Sequence, residues 1–205
     1  MSIYVDHAAR KHEIIVKSIQ LFAKVGYKDV TFQKLSAYCG LARTALYRYF
    51  RNKRQIFDAA IQETTSLINR KYREITKSGQ PPDAQIHAIC NTVIDMLFAN
   101  REFLCVIIDF ILSAQRSGHD LSRRVKHYTA PLPRLLHHLL TAAVHSGVYD
   151  PSVRPRIVTR ILYSHFESTA LRLAITNNAE LSEIRLDLEV YLASLRNPAA
   201  AGKRP

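Results

Sequence analysis

The chain has 205 residues, of which 47% are hydrophobic, and this content is enough to build a buried core and argues against wholesale disorder. Its formal net charge of +12, from 29 lysines and arginines against 17 acidic residues, favours an anionic partner such as nucleic acid. The longest apolar stretch, Phe103 to Leu112, is too short to span a bilayer, and the first residues lack the apolar run of a signal peptide, so we expect a cytoplasmic protein.

The first informative pattern runs from Thr31 to Phe50, where two short helical patterns meet at Cys39 and Gly40. Thr31 has an oxygen able to cap the first helix, and Leu35 would point at the core. Gly40 can take a positive φ without a Cβ clash, which lets the chain leave one helix and soon begin another. This is the spacing of a helix-turn-helix, in which the second helix can enter the DNA major groove.

The second helix of this pair would present polar side chains to solvent. Leu41 and Leu46 hold it on the core, and the residues left on its outer faces are Arg43, Thr44, Tyr47 and Arg48. They combine base-reading and phosphate-binding side chains. Residues 1–60 hold 11 lysines and arginines against 4 acidic residues, which suits contact with phosphates. From these residues alone, an ordinary buried helical hairpin in a basic protein stays open.

Residues 10–57 resemble the DNA-binding domain of the TetR family of bacterial transcriptional regulators. The residues that fall at the family's characteristic positions without a gap are Ile14, Leu21, Phe22, Gly26, Tyr27, Thr31, Leu35, Gly40, Leu46, Tyr47, Tyr49, Phe50, Asn52 and Lys53. The resemblance implies a first helix over about Arg10 to Val25. It also implies a fourth helix, from about Lys53, that links this domain to a ligand-binding body.

By the same resemblance, Thr31, Tyr47 and Lys53 would contact phosphates, and four further residues would lie nearest the bases: Gln33, Arg43, Thr44 and Tyr49. With Arg48 from the pattern itself, these residues are the candidate DNA-binding set. Several positions depart from the family's pattern, and two of them lie at the second helix of the motif. Ala42 stands where a capping serine is usual, a loss of roughly 1 kcal/mol, and Thr44 stands where glycine is frequent, which makes the approach of the helix to DNA less close.

The chain after residue 55 has helical periodicity throughout and no sustained alternation of the strand type. Phe103 to Leu112 is apolar nearly all round, which predicts a central helix buried on every side. Pro131 and Pro133 predict a kink or split in a helix that starts near Asp120. Two long helices are predicted over about Arg154 to Ile175 and Ser182 to Arg196.

Together these patterns predict an all-α fold of about nine helices. We expect an N-terminal three-helix DNA-binding domain over residues 1–55, with the helix-turn-helix motif at 31–50. A C-terminal helical ligand-binding and dimerisation domain would occupy residues 56–197, and residues 198–205 would form a flexible tail.

The resemblance implies a ligand pocket among the helices of about residues 83–145. The candidate lining residues are Cys90, Met96, Phe103, Asp109, Phe110, Tyr128 and His137. Plain packing or solvent exposure stays the alternative for each of them. Asp109 differs from the rest because a carboxylate inside an apolar helix must be paired, solvated or protonated, and either a cationic effector or an arginine of the chain would supply the pair.

The resemblance also implies that the last two long helices pair with their copies in a second subunit as a four-helix bundle. The candidate interface residues are Val158, Ile161, Leu162, His165, Phe166, Thr169, Leu188, Tyr191, Leu192 and Leu195. The alternative is that the apolar faces of these two helices cover the chain's own core. A homodimer would place two reading helices about 34 to 36 Å apart and would match a palindromic operator.

Other chemistry finds little support in the sequence. The three cysteines have no metal-type spacing, and adjacent histidines point about 100° apart on a helix, so we predict no metal site and no cofactor. No glycine-rich phosphate loop, nucleophile elbow or zinc-protease motif is present, which argues against an enzyme. A redox switch between Cys90 and Cys105, or a sensing role for the histidines, stays open.

We therefore expect a ligand-responsive transcriptional regulator, more specifically a repressor, that acts on the nucleoid. It would bind double-stranded operator DNA as a homodimer and be released by a small-molecule effector. Two alternatives stay open: a helical protein-interaction or RNA-binding module without operator recognition, and an orphan regulator without a ligand.

Overall fold

The computed structural model describes residues 6–117, 130–176 and 180–201. Its helices are α1 (His7–Val25), α2 (Phe32–Tyr38), α3 (Arg43–Tyr47), α4 (Lys53–Thr76), α5 (Pro82–Ala99), α6 (Arg101–Arg116), α7 (Pro131–His145), α8 (Pro155–Ile175), α9 (Leu181–Ser194) and α10 (Pro198–Ala201). Extended pairing among these residues is limited to one antiparallel bridge between Tyr149 and Arg196. The predicted all-α class is confirmed. None of the described helices has the length and apolar character needed to cross a membrane.

The chain divides into two compact units. Among the described residues, unit 1 holds 6–67 and 102–117, and unit 2 holds 68–101, 130–176 and 180–201. The predicted boundary at residue 55 does not coincide with this division. Unit 1 continues through most of α4 and also takes in α6, which comes from the middle of the chain.

Unit 1 is built around an apolar core shared by α1, α2, α3, α4 and α6. Leu35 of α2 and Leu46 of α3 are fully buried in it, as the sequence predicts. The helix α6 contributes one face, through Phe103, Val106 and Phe110. Leu112 on the same helix is 44% exposed, so the prediction of a helix buried on every side was wrong. An apolar composition does not by itself show how many sides of a helix are covered.

Unit 2 has α5 near its centre, where it packs against α7, α8 and α9, while α7 also packs against α8. The fully buried core residues of these helices include Ile86, Ile89, Ile94, Leu136, Leu140, Leu162, Ile184 and Leu192. The bounds of α8 and α9 agree closely with the two predicted long helices. Unit 2 is therefore held together by the periodic apolar residues that the sequence showed.

The two prolines that were predicted to kink or split a helix, Pro131 and Pro133, both lie in the first turn of α7. Pro131 is the first residue of α7, where the missing N–H would have had no intrahelical partner, and Pro155 begins α8 in the same way. The predicted kink at Pro131 is therefore corrected to a helix start, while the predicted helical stretch from Asp120 lies outside the described residues. Part of the predicted flexible tail, Pro198–Ala201, forms a single helical turn.

Candidate DNA-binding site

The helix-turn-helix is formed by α2 and α3, with a turn that has the expected chemistry. Thr31 caps α2, its hydroxyl oxygen accepting the Lys34 backbone N–H at 3.2 Å. Gly40 has φ +67°, the left-handed conformation that glycine adopts without steric cost. The Leu41 N–H then donates to the Ser36 carbonyl at 2.9 Å, which closes the turn. The predicted cap and the predicted glycine turn are both confirmed.

The outer face of α3 is open to solvent. Its exposed residues are Arg43, Thr44, Tyr47 and Arg48, and Thr31 and Gln33 are exposed at the start of α2. Leu46 points the other way and is fully buried, which fixes the rotation of this short helix. The orientation of α3 is therefore the one that a reading helix needs.

Two of these side chains support each other before any DNA is present. The Tyr47 ring packs on Phe32 with centroids 4.6 Å apart, yet 45% of Tyr47 stays exposed. The Arg43 guanidinium lies 5.7 Å from the centre of the same ring and donates to the tyrosine oxygen at 3.3 Å. Such contacts reduce the side-chain freedom that Arg43 and Tyr47 would lose on binding.

Tyr49 follows α3 and leans toward the start of α1. It is half-buried, and its ring centre lies 5.7 Å from that of His7. An open groove lies between the start of α1 and residues 41–49. Its lining residues are Asp6, His7, Ala9, Arg10, Glu13, Leu41, Ala45, Arg48 and Tyr49. In this groove Glu13 pairs with Lys17 and Arg10, which holds the pKa of its carboxyl below the usual range. A base contact by Tyr49 stays a prediction.

Lys53 does not have the free ammonium that a phosphate contact requires. Its Nζ donates to the backbone carbonyls of Tyr27, Lys28 and Val30, at 2.8, 2.9 and 2.8 Å. An ammonium group has three N–H donors, so all of them are used. Burial lowers the pKa of Lys53, and the nearby carboxylate of Asp29 partly opposes that shift. In this structure the predicted phosphate contact is therefore not available to the Lys53 side chain.

The candidate pocket residues are divided between the two units. Phe103, Asp109 and Phe110 belong to unit 1, where both phenylalanines are buried and pack against Phe57. The Oδ2 of Asp109 accepts the Tyr27 backbone N–H at 2.8 Å, so this oxygen has a partner within the chain. The partner is a backbone amide, which the sequence could not indicate.

The other pocket candidates lie in unit 2 or outside the described residues. Cys90 is fully buried in the core of α5, and burial raises the pKa of its thiol. Met96 is half-buried on the same helix, and His137 is exposed on α7. Tyr128 lies outside the described residues. The three cysteines are free thiols, and no group of histidine, cysteine and acidic side chains among the described residues is arranged to hold a metal ion.

Most of the candidate dimer residues face the core of their own chain. The buried members of that set are Val158, Leu162, Phe166, Thr169, Leu188, Leu192 and Leu195. Because these side chains are already covered, they are not available to a second copy, and this part of the interface prediction was wrong. His165 and Tyr191 are half-buried, and Ile161 is 44% exposed.

Apart from Ile161, the sequence interpretation missed a second apolar stripe on the opposite side of these helices. Its exposed members are Ile157, Ile161, Leu171 and Ile175 on α8 and Leu186 and Val190 on α9. The α8 residues recur at intervals that keep them on one face of a helix. Two apolar stripes on one helix were the signal that could have found it.

A short helix pair joined by a glycine turn, with the second helix open to solvent, is the arrangement of helix-turn-helix DNA-binding proteins. Residues 14–60 match the family model described as bacterial regulatory proteins, tetR family. The chain is 23% identical over 163 residues to the HTH-type transcriptional repressor KstR2 of Rhodococcus jostii (strain RHA1), which covers 80% of this chain and 77% of that protein. The chain therefore carries, over residues 14–60, the DNA-binding domain of the TetR family of transcriptional regulators.

Solved structures share the fold over nearly the whole chain. The ketosteroid transcriptional regulator KstR2 of Mycobacterium tuberculosis superposes with a TM-score of 0.71 at 14% identity, covering 91% of this chain and 95% of that one. The fatty acid degradation regulator FadR of Bacillus halodurans gives a TM-score of 0.72 at 17% identity, covering 89% and 94%. The N-terminal helix-turn-helix domain and C-terminal helical domain are thus the shared architecture.

The missing cap of α3 leads to a stability prediction. Ala42 is the N-cap residue and makes no side-chain cap hydrogen bond. Replacing Ala42 by serine would supply an oxygen to the free N–H groups of the first turn, and we expect the free energy of unfolding to rise by about 1 kcal/mol. Urea denaturation measures this change. The control is Ala37→Ser, at an exposed position in the last turn of α2, where no gain is expected. Equal gains would show that capping is not the cause.

Proposed function

We propose that this protein is a homodimeric repressor that binds a palindromic operator through α3 and is released when a small molecule binds unit 2. The observation that supports DNA binding is the exposed outer face of α3, where the side chains of Arg43 and Tyr47 contact each other. The match to the DNA-binding domain of the TetR family supports a transcriptional role, and the relative from Rhodococcus jostii is named a repressor. A protein with this role would work in the cytoplasm on the nucleoid.

The direct test begins with an operator recovered by selection of genomic fragments on the purified protein. Arg43→Ala should weaken binding to that operator by about 1 to 3 kcal/mol, because a guanidinium that contacts a base edge discriminates by about that amount. Arg134→Ala, an equal loss of charge at an exposed position of α7, is the control. Fluorescence anisotropy gives both affinities.

Salt dependence provides a second readout on the same complex. With about 6 to 10 phosphate contacts per dimer, the affinity should fall roughly 10³-fold to 10⁵-fold between 50 and 200 mM salt. Recovery of structured RNA, or no enriched sequence, would favour the protein-interaction or RNA-binding module. Unchanged operator affinity in Arg43→Ala would contradict the proposed role of α3.

The dimer is proposed from the second apolar stripe of α8 and α9. Leu186 and Val190 are each 63% exposed, and Ile175 is 69% exposed, which leaves large apolar side chains in water. Exposed apolar side chains in a stripe along a helix mark an interaction site, and a second copy would present the same stripe in a two-fold arrangement. The predicted four-helix pairing is therefore retained, with its contact residues moved to the exposed stripe.

Ile161→Glu tests this interface. A carboxylate placed in an apolar contact is costly, so the dimer dissociation constant should rise at least about a hundredfold, equivalent to about 3 kcal/mol. Sedimentation velocity over a concentration series measures the change. The matched control is Leu112→Glu on α6, since Leu112 and Ile161 are both 44% exposed. An Ile161→Glu protein as dimeric as the control would rule out this surface.

The effector site is proposed from two polar atoms of α8 that the core leaves unsatisfied. Thr169 is 1% exposed and its hydroxyl has no hydrogen-bond partner, and the buried Nε2 of His165, one turn earlier, also has none. A buried polar group without a partner costs about 1 to 3 kcal/mol. A ligand that supplies a hydrogen bond would recover part of this cost.

These surroundings favour a mainly apolar effector with a polar group. The other buried residues of the same helix are mostly apolar and include Leu162, Phe166 and Leu173. Two structural relatives are named for ketosteroids and for fatty acid degradation, compounds of this general character. Cys90 and Met96 of α5 remain candidate lining residues in the same unit, as does His137 of α7.

Release of DNA then depends on the effector's preference between two conformations. A ligand shifts such an equilibrium only by its differential affinity for the two states. Tenfold weaker operator binding requires about 1.4 kcal/mol. One well-made hydrogen bond to a previously unsatisfied group is of this order.

Thr169→Val tests the proposed polar site without knowledge of the effector. Removing the unsatisfied hydroxyl should stabilise the effector-free protein by about 1 kcal/mol. Thr159→Val is the matched control, because Thr159 is also buried on α8 but donates to the Pro155 carbonyl at 2.8 Å, so no gain is expected there. Thermal unfolding, with and without a panel of ketosteroids and fatty acids, measures both effects. Stabilisation of Thr159→Val alone would contradict the assignment.

A further inference from the structure

The carbonyl groups of residues 27–30, in the loop between α1 and α2, are all used by lysines. The Lys53 ammonium takes those of Tyr27, Lys28 and Val30, and Lys34 donates to that of Asp29 at 3.1 Å. Lys53 also lies 4.8 Å from the centre of the Tyr27 ring. These contacts are short and converge on one atom, which is the geometry of a compact ammonium and not of a planar guanidinium.

The positions of these partners in the chain determine what the contact does. The loop leads directly into Thr31, the cap of α2, and Lys53 is the first residue of α4. The contact therefore joins the two ends of the segment 31–52, which contains α2, the turn and α3. A closed segment of this kind is hindered from rotating or opening at its ends.

We propose that Lys53 serves DNA binding as a positioning residue that closes the ends of the helix-turn-helix, and not as a ligand of a DNA phosphate. Its three N–H donors are taken by backbone carbonyls, so the ammonium is not free to make the direct phosphate contact that would displace a counterion from DNA. Replacing Lys53 lowers the affinity for the operator because α2 and α3 are no longer held in the orientation that the DNA major groove requires. The inference rests on the proposed DNA-binding function.

Three variants separate the two roles on the operator duplex recovered by genomic selection. Lys53→Met keeps a long apolar stem and removes the ammonium, and we expect about tenfold weaker binding with an unchanged slope of log affinity against log salt. Arg48→Met, at the exposed end of α3, should lower the magnitude of that slope by about 1 for each phosphate that the arginine neutralises in the wild type. Lys53→Arg should not restore affinity, because a guanidinium cannot place three donors on three convergent carbonyls.

The proposal is overturned if Lys53→Met lowers the slope as much as Arg48→Met does. It is also overturned if Lys53→Met binds like the wild type, or if Lys53→Arg recovers wild-type affinity and slope, since arginine is a good phosphate ligand.

A second measurement keeps the inference separate from the proposed function. Amide hydrogen exchange on the DNA-free protein should be faster in α2 and α3 of Lys53→Met than in the wild type, with α1 unchanged. Arg48→Met should leave the exchange of α2 unchanged. If the wild type binds no duplex, the proposed regulator function is wrong, but the exchange pattern still tests the role of Lys53. Equal exchange in Lys53→Met and in the wild type would reject the positioning role of Lys53.

Discussion

The packing of the Tyr27 ring is the contact on which the architecture of unit 1 depends. This ring lies 5.2 Å from Phe22 of α1, 5.3 Å from Phe57 of α4 and 4.8 Å from Phe110 of α6, measured between ring centres. Aromatic pairs at these separations contribute about 0.5 to 1.5 kcal/mol each beyond the area they bury. The loop that carries Tyr27 is thus fixed by three helices, and α2 starts from a defined point.

The backbone beside this ring is fixed just as closely. Gly26 has φ +86°, a conformation open to glycine, and this turn directs the Tyr27 N–H at the Asp109 carboxylate of α6. A Cβ on residue 26 would lie 3.6 Å from the same carboxylate oxygen. The glycine and tyrosine that mark the family resemblance therefore have a local reason to be there, and the apolar helix α6 has a reason to carry an acid.

The sequence was sufficient for those parts of the fold whose causes are local. Thr31, Gly40 and Leu46 each act within a few residues of their own position, so the helix-turn-helix could be predicted with its cap, its turn and its orientation. The roles of Lys53 and Asp109 could not be predicted. Each side chain is satisfied by the backbone of residues 27–30, at a separation of 23 or more positions, and backbone acceptors and donors leave no signal in the side-chain pattern.

The faces of α8 illustrate a different limit. Val158 and Leu162 cover the core, whereas Ile157 and Ile161 on the opposite side are exposed, and all four are similar aliphatic residues. Periodicity shows that a helix has an apolar side, but when two sides are apolar it cannot show which one the chain itself covers. Only the packing of α5 and α7 against α8 decides that question, and this packing is a property of the whole unit.

Unit 1 is discontinuous in sequence, and this has a consequence for synthesis on the ribosome. A nascent chain that has emerged only to residue 67 lacks Phe103 and Phe110, so Phe57 and Tyr27 lack the part of their packing that α6 supplies. The reading domain can complete its core only after the middle of the chain has followed. For the same reason, a chimeric regulator made by grafting the first 55 residues onto a foreign body would leave this aromatic surface open, whereas a graft that carries α6 along would close it.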